Sequence, residues 1–128
     1  MGLDMYAWKV PAKNVGDIEV DYKVPEGEEK QELAYWRKFN HLHGWMENLY
    51  RTKGGMEEEF NCTTVRLNED DLDSLEQALL NNKLEATSGF FFGDTVLRQE
   101  DVDTTIQFIK DARQAIKDDM VVFYDSYW

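Results

Sequence analysis

The sequence predicts a single α+β domain in which a small, mostly antiparallel or mixed sheet is packed by two long helices and one short helix. Segments rich in aromatic and β-branched residues stand at both ends of the chain, which is typical of strands. Two long segments between them repeat apolar residues at helical spacing. The 128 residues, 42% of them hydrophobic, are enough for one core without disulfides or a metal. One domain is therefore expected over residues 1–128.

The first predicted strand covers residues 3–9 and ends before Pro11. Alternate residues of a strand share a face. One face of this strand consists of Leu3, Met5 and Ala7, and the other consists of Asp4, Tyr6 and Trp8. Because both faces are largely apolar, the strand is expected in the interior of the sheet. Asp4 is then a carboxylate in an apolar strand, where it needs a cation or several hydrogen bonds.

Residues 11–30 predict an exposed excursion from the domain. Glycine and proline interrupt this segment, and acidic residues crowd its end. Within it, Gly16–Val24 alternates enough to allow a short edge strand.

The next segment, Glu28–Thr52, predicts one long amphipathic helix. Its apolar stripe advances in steps of four and three residues, which is one face of a helix. The stripe consists of Tyr35, Phe39, Leu42, Met46 and Leu49. Gly54-Gly55 follows the segment and is expected to end the helix.

The middle of the chain predicts a second strand and a short helix. The strand covers Cys62–Leu67, and Asn68 after it is a favourable helix cap. Acidic residues fill the first turn of the helix, where its dipole favours negative charge. The buried face of the helix consists of Leu72, Leu75 and Leu79, and Asn81-Asn82 is expected to end it.

The C-terminal part predicts a long helix over Asp101–Asp119 and a final strand over Val121–Trp128. The first and last strands are expected to be neighbours, because chain termini often lie close together. Residues 84–98 leave two interpretations open. Three consecutive rings, Phe90–Phe92, fit either a strand buried on both faces or a loop that inserts aromatic side chains into the core.

The charge balance restricts the partners. The chain has 14 Lys plus Arg against 26 Asp plus Glu, a formal net charge of −12. Such a surface repels phosphate backbones and anionic membranes, so neither direct nucleic-acid binding nor membrane binding is expected. Basic protein surfaces and cations are the partners that this charge attracts. The alternative is that the net charge only keeps a small protein soluble.

The single cysteine, Cys62, excludes an intramolecular disulfide, which fits a reducing compartment. The first residues lack the basic and apolar regions of a signal peptide, and no apolar run approaches the ~18 residues that span a bilayer. We therefore expect an intracellular protein.

Several patches of the chain are distinctive. The most specific are the opening Met1–Tyr6 (MGLDMY) and the segment Tyr35–Lys38 (YWRK) with His41. The later patches are Asn61-Cys62, Gly89–Gly93 (GFFFG) and Tyr124–Trp128 (YDSYW). Together these patches resemble a family of small bacteriophage and bacterial proteins of unassigned function. The resemblance implies a phage or prophage accessory protein in the cytoplasm of a bacterial host, and it supplies no activity to transfer.

Metal and cofactor chemistry has little support in the sequence. His43 and Glu47 are four residues apart and share a helix face, but a third and fourth ligand, such as Cys62 or Asp125, cannot be placed. The zinc-protease motif, the phosphate-binding glycine loops and the GxSxG motif are absent. No metal, no cofactor and no catalytic residue is therefore predicted.

Cys62 has two interpretations. As a nucleophile it would need an adjacent base and a lowered pKa. The alternative is a small buried hydrophobic side chain at the start of a strand.

Asp4 also has two interpretations. Arg37 is the expected partner, so that a buried ion pair would set the register of strand and helix. The functional alternative is a pocket acid or base in a small enzyme or ligand-binding domain. The residues of that alternative pocket are Asp4, Tyr6, Trp36, Arg37, His41 and Asp125.

Clusters of acidic residues carry the preferred functional hypothesis. The predicted binding surface consists of Glu57, Glu58, Glu59, Glu69, Asp70, Asp71 and Asp73. If folding gathers them, they imitate the charge of a nucleic acid and fit the basic surface of a bacterial host protein. The sequence thus favours a non-enzymatic acidic binding protein that engages, and would inhibit, a host or defence macromolecule. A structural homo-oligomer is the third alternative.

Overall fold

A computed structural model describes residues 3–81 and 98–128 of the chain. The elements of these ranges, in chain order, are β1 (Asp4–Pro11), β2 (Gln31–Arg37), α1 (Asn40–Thr52), β3 (Val65–Leu67), α2 (Glu69–Leu80), α3 (Gln99–Lys117) and β4 (Met120–Tyr127). A short 3-10 turn, Ala12–Asn14, follows β1. The predicted class, a single small α+β domain, is confirmed.

The four strands form one antiparallel sheet in the order β2-β1-β4-β3. β1 lies between two neighbours, as its two apolar faces predict. β1 and β4 pair along their whole length, from Asp4 opposite Tyr127 to Pro11 opposite Met120. The prediction that the first and last strands are neighbours is therefore confirmed.

The predicted helix over Glu28–Thr52 is wrong in its first half. Residues Gln31–Arg37 form the edge strand β2, and α1 begins only at Asn40. Between them Lys38 has a φ of 57°, which neither a strand nor a helix allows. Local spacing misled the prediction, because the backbone hydrogen bonds of β2 to β1 decide the conformation of this segment. The end of the helix is as predicted, with Lys53 as its C-cap and a positive φ at Gly54.

A bulge in β2 sorts its side chains between the two faces of the sheet. Ala7 pairs with Ala34 but Trp8 pairs with Glu32, so Leu33 is an extra residue on β2. Leu33 and Ala34 both pack against the helix-side core. Glu32 and Tyr35 lie on the opposite face as a result, beside Trp8 and Tyr6.

The larger core lies between the sheet and the helices. Trp36 is buried there against the ring of Phe108, and its indole Nε1 donates a hydrogen bond to Thr105 Oγ1 at 3.0 Å. Leu42 and Met46 of the predicted stripe are fully buried in the same core. Because α1 supplies these residues, the second half of the predicted helix has the buried face expected of it.

A smaller core covers the other face of the sheet. It consists of Trp8, Val10, Val15, Tyr22, Val121 and Phe123. Tyr22 stacks on Phe123 with ring centroids 4.9 Å apart. The predicted exposed excursion 11–30 is therefore exposed only in part, because its buried Val15 and Tyr22 close this core. The short strand that Gly16–Val24 allowed is reduced to one bridge, between Val20 and Val65.

The second predicted strand is shorter than expected. β3 contains only Val65–Leu67, and the φ of 58° at Cys62 excludes that residue from a strand. The short helix that follows agrees with its prediction. The Asn68 side chain accepts a hydrogen bond from the Asp71 N–H at 3.0 Å, and the Asp71 carboxylate accepts one from the Asn68 N–H at 2.9 Å.

The last helix and strand are confirmed to within a few residues of their predicted ends. Arg113 of α3 forms ion pairs with two residues of α2, Asp73 at 2.7 Å and Glu76 at 3.0 Å, and these pairs join the two helices. The aromatic segment Phe90–Phe92, with the rest of 84–97, lies outside the described residues.

An aromatic cluster with a buried histidine holds α1 to the sheet. The rings of Phe60, His43 and Tyr124 contact one another, with the Phe60 centroid 5.1 Å from that of His43 and 5.9 Å from that of Tyr124. His43 Nδ1 is 2.8 Å from the Tyr124 hydroxyl. Burial lowers the pKa of His43 to about 4 and raises that of Tyr124 well above its usual value. Both groups are therefore neutral at pH 7.

The first prediction concerns Gly55, whose Cα faces the fully buried ring of Tyr50. A Cβ at this position would lie 2.3 Å from the ring carbons of Tyr50. We expect Gly55→Ala to lower the free energy of unfolding by about 1–3 kcal/mol. The exposed Ser74→Ala is the control, with a change within about 0.5 kcal/mol. Equal urea midpoints for both variants would contradict this packing.

The second prediction concerns the pH dependence of stability. Because the folded pKa of His43 is depressed to about 4, its contribution is fully present above the unfolded pKa of about 6.5. As the pH falls from about 6.5 to about 4, the free energy of unfolding of the wild type should decrease by on the order of 3 kcal/mol relative to that of His43→Gln. Urea unfolding of both proteins at several pH values measures this difference. Parallel stability curves would show that His43 does not titrate as its burial requires.

Candidate functional site

The exposed part of the second sheet face brings acidic and tyrosine side chains together. We call it the acidic tyrosine face, and it consists of Asp4, Tyr6, Glu32, Tyr35, Asp125 and Tyr127. Antiparallel pairing places Tyr6 between Tyr35 on β2 and Asp125 on β4. Directly opposed residues of a sheet lie on the same face, so these side chains are neighbours. Tyr35 is 44% exposed and Tyr127 65% exposed, which leaves aromatic surface in contact with solvent.

Three carboxylates surround Tyr6. The Tyr35 hydroxyl donates a hydrogen bond of 2.6 Å to Asp4 Oδ1, and the Tyr6 and Tyr35 rings are 5.3 Å apart. Burial raises the pKa of the Tyr6 hydroxyl, and the charges of Asp4, Glu32 and Asp125 raise it further. Negative charge therefore converges on this point of the sheet.

A small cavity opens beside Tyr6. It has a volume of about 260 Å³ and is lined by Tyr6, Trp8, Lys30, Glu32 and Asp125. The Lys30 ammonium lies 5.0 Å from the centroid of the Trp8 ring. Burial raises the pKa of Asp125, while the Ser126 N–H, 2.8 Å away, and the Lys30 charge lower it. The cavity thus combines an aromatic wall, two carboxylates and one internal cation.

The structure divides the predicted pocket of Asp4, Tyr6, Trp36, Arg37, His41 and Asp125. Asp4, Tyr6 and Asp125 meet on the acidic tyrosine face. Trp36 is buried on the helix side because it follows Tyr35 in a strand, where side chains alternate. His41 is also buried, in α1, near Asp101, whose pKa is raised by burial. These two cannot share a pocket with Asp4.

The expected ion pair between Asp4 and Arg37 is not formed among the described residues. Arg37 lies opposite Asp4 on the same face of the sheet, where it is an exposed cation at the margin of the acidic tyrosine face. The Asp4 carboxylate instead accepts a hydrogen bond from the Tyr35 hydroxyl. Because the predicted helix is a strand here, Arg37 sets no register between a strand and a helix.

The predicted acidic surface is used in part for internal contacts. Asp71 forms an ion pair with Lys53 at 2.6 Å, and Asp73 forms one with Arg113 at 2.7 Å. Glu69 and Asp70 are exposed in the first turn of α2. The run Glu57–Glu59 is exposed, and Arg51 donates hydrogen bonds to the backbone carbonyls of Glu57 and Glu58.

Cys62 fits neither interpretation that the sequence allows. It is exposed rather than buried, and its N–H donates a hydrogen bond of 2.7 Å to the Ser126 carbonyl. Partial burial of the thiol raises its pKa, and the charge of Asp125 adds to the effect. A nucleophilic thiol needs a lowered pKa, so this environment does not activate it.

His43 and Glu47, the two candidate metal ligands, contact different parts of the protein. His43 is turned towards Tyr124 in the core, whereas Glu47 pairs with Arg51 at 3.6 Å near the surface. Over residues 3–81 and 98–128, no group of three or more His, Cys, Asp or Glu is placed to hold a metal. Within the same ranges, none of the helices is long and apolar enough to cross a membrane.

Comparison with family models, with curated proteins and with solved structures gives no match. The resemblance to a family of small phage and bacterial proteins therefore stays a prediction.

The sequence did not indicate three residues of the site: Trp8, Lys30 and Tyr35. The interpretation of Glu28–Thr52 as one helix hid the last two. Alternation of Glu32, Tyr35 and Arg37 across a bulge was too irregular to be read as a strand.

The third prediction concerns the thiol of Cys62. Because its pKa is raised, the thiolate fraction at pH 7.5 is smaller than that of a free cysteine, and we expect slower alkylation by iodoacetamide. Unfolding in urea should restore the rate of N-acetylcysteine, and Asp125→Asn should increase the rate in the folded protein. A folded-state rate above that of N-acetylcysteine would contradict the assigned environment.

Proposed function

We propose that the protein is a non-enzymatic acidic binding protein that engages a positively charged surface of a bacterial macromolecule. The observation that carries the proposal is the convergence of Asp4, Glu32 and Asp125 around Tyr6 on exposed sheet surface. Carboxylates steer and orient a basic partner. Tyrosines add rigid contact area and a hydroxyl, which is why they are enriched at protein interfaces.

The proposed partner is a host or defence protein with a basic surface. The resemblance to small phage proteins supports a bacterial cell as its setting. A protein with a net charge of −12 attracts a basic groove over a distance set by the ionic strength. By covering such a groove, the protein would inhibit the partner.

The enzyme alternative has less support from the geometry. Its pocket required Asp4, Arg37 and His41 together, whereas His41 is buried in α1 and Asp4 lies on the outer sheet face. What remains of that pocket is the small cavity at Tyr6 and Asp125, which holds carboxylates and rings. Those groups suit binding of a cation better than a reaction.

The fourth prediction tests the binding surface with two variants of equal charge. Asp4→Asn/Glu32→Gln/Asp125→Asn neutralises the acidic tyrosine face, and Glu57→Gln/Glu58→Gln/Glu59→Gln neutralises the exposed run after α1. We expect the wild type and the second variant to retain the same basic protein from bacterial lysate, and the first variant to lose it. Titration with the purified partner should weaken as salt rises.

Three outcomes would contradict the proposal. Equal losses in both variants would show an effect of overall charge alone. Loss only in the Glu57–Glu59 variant would assign binding to the acidic surface predicted from the sequence. Retention by both would exclude carboxylate recognition at either place. The urea midpoints of both variants show that a loss of binding is not a loss of fold.

A further inference from the structure

We infer that the cavity beside Tyr6 is a receptor for the ammonium group of a lysine side chain of the partner, and that Lys30 in the cavity wall competes with that lysine for the same ring and carboxylates. The inference rests on the proposed function, because it assigns the chemistry by which the acidic tyrosine face recognises a basic protein. It also identifies Lys30 as a competitor of that partner.

The size of the cavity suits one side chain. Its volume of about 260 Å³ is below the roughly 300–1,000 Å³ of sites for drug-sized ligands. Three of its lining residues, Tyr6, Glu32 and Asp125, belong to the acidic tyrosine face, which also carries the exposed Tyr35 and Tyr127. A lysine of a folded or extended partner therefore fits better than a larger free ligand.

The lining suits an ammonium ion. Cations are attracted to the face of an indole ring within about 6 Å, and carboxylates beside the ring add direct charge attraction. Trp8 supplies the ring, and Glu32 and Asp125 supply the carboxylates.

Lys30 places an alkylammonium beside the ring and the carboxylates of the site. Its Nζ lies 5.0 Å from the Trp8 centroid, and its charge opposes the burial that raises the pKa of Asp125. Yet Lys30 is an exposed residue just before β2, and it forms no ion pair within 4.0 Å among the described residues. A lysine brought in by a partner can replace it without breaking a hydrogen-bonded contact.

Charge complementarity favours a cationic occupant over any other. Asp4, Glu32 and Asp125 all act on Tyr6, and Lys30 is the cation whose charge is felt at Asp125. An anionic or neutral side chain would meet two carboxylates in a partly buried space and lose its own hydration. A lysine brings the charge that this environment favours.

The fifth prediction uses a capped pentapeptide, acetyl-Gly-Ser-Lys-Ser-Gly-amide, whose only charge is the lysine ammonium. The same peptide with norleucine or arginine at the centre is the chemical control. Titration is followed by the NMR resonance of the Trp8 indole N–H. We expect saturable weak binding of the lysine peptide, a smaller response to arginine and none to norleucine.

Two lysine variants of equal charge test the internal competitor. Lys30→Met keeps most of the side-chain stem but removes the ammonium, and Lys23→Met removes an exposed lysine of the same segment. We expect Lys30→Met to bind the lysine peptide roughly three- to tenfold more tightly than the wild type, because no internal ammonium then competes for the Trp8 ring and the carboxylates. Lys23→Met should bind as the wild type does, and Asp125→Asn should lose binding.

Several outcomes would overturn the inference. Equal affinities of Lys30→Met and Lys23→Met would show a general charge effect, and tighter binding of arginine than lysine would exclude an ammonium site. Capture of a basic bacterial protein by the acidic tyrosine face, with no response to the lysine peptide, would overturn this inference and leave the proposed function standing. Binding of the lysine peptide without capture of any basic protein would overturn the proposed function and leave the lysine site standing.

Discussion

β1 pairs with β4 over its full length, from Asp4 opposite Tyr127 to Pro11 opposite Met120, and this pairing joins the two ends of the chain. Each of these strands is buried on both faces over much of its length, so it can only lie inside the sheet. β2 and β3 then occupy the edges, and the helices cover one face. The same pairing brings Asp125 beside Tyr6, so the site depends on the central constraint of the fold.

The two faces of the sheet have different coverings, and this difference creates the site. The helices of the described ranges and the core around Trp36 cover one face. The segment that contains Val15 and Tyr22 covers only part of the other face, and it leaves Tyr6, Tyr35 and the carboxylates at the edge of the covered area. The bulge at Leu33 completes the arrangement, because it turns Glu32 towards Trp8. A cavity next to a partly covered sheet is the consequence.

Negative charge has two roles in this chain. Asp71 caps α2 and holds Lys53, and Asp73 with Glu76 holds Arg113 between the two helices. Those carboxylates stabilise the fold and are already paired. Asp4, Glu32 and Asp125 act on the same tyrosine instead, and one lysine is seated beside them. Acidic residues that converge without full compensation are better suited to a partner than those that cap helices.

The sequence by itself determined what depends on local patterns: the α+β class, the capped helix after Asn68, the long C-terminal helix and the two-sided central strand. It also predicted one pocket of six residues, of which Asp4, Tyr6 and Asp125 meet on one face while Trp36 and His41 are buried elsewhere. Only the tertiary structure decided that Gln31–Arg37 is a strand, because hydrogen bonds to β1 outweigh a spacing that suits a helix equally well. Because of that pairing, Trp36 lies in the core, and Glu32 and Tyr35 lie at the site. Which carboxylates stay unpaired depends on contacts between distant segments, and no local pattern encodes those contacts.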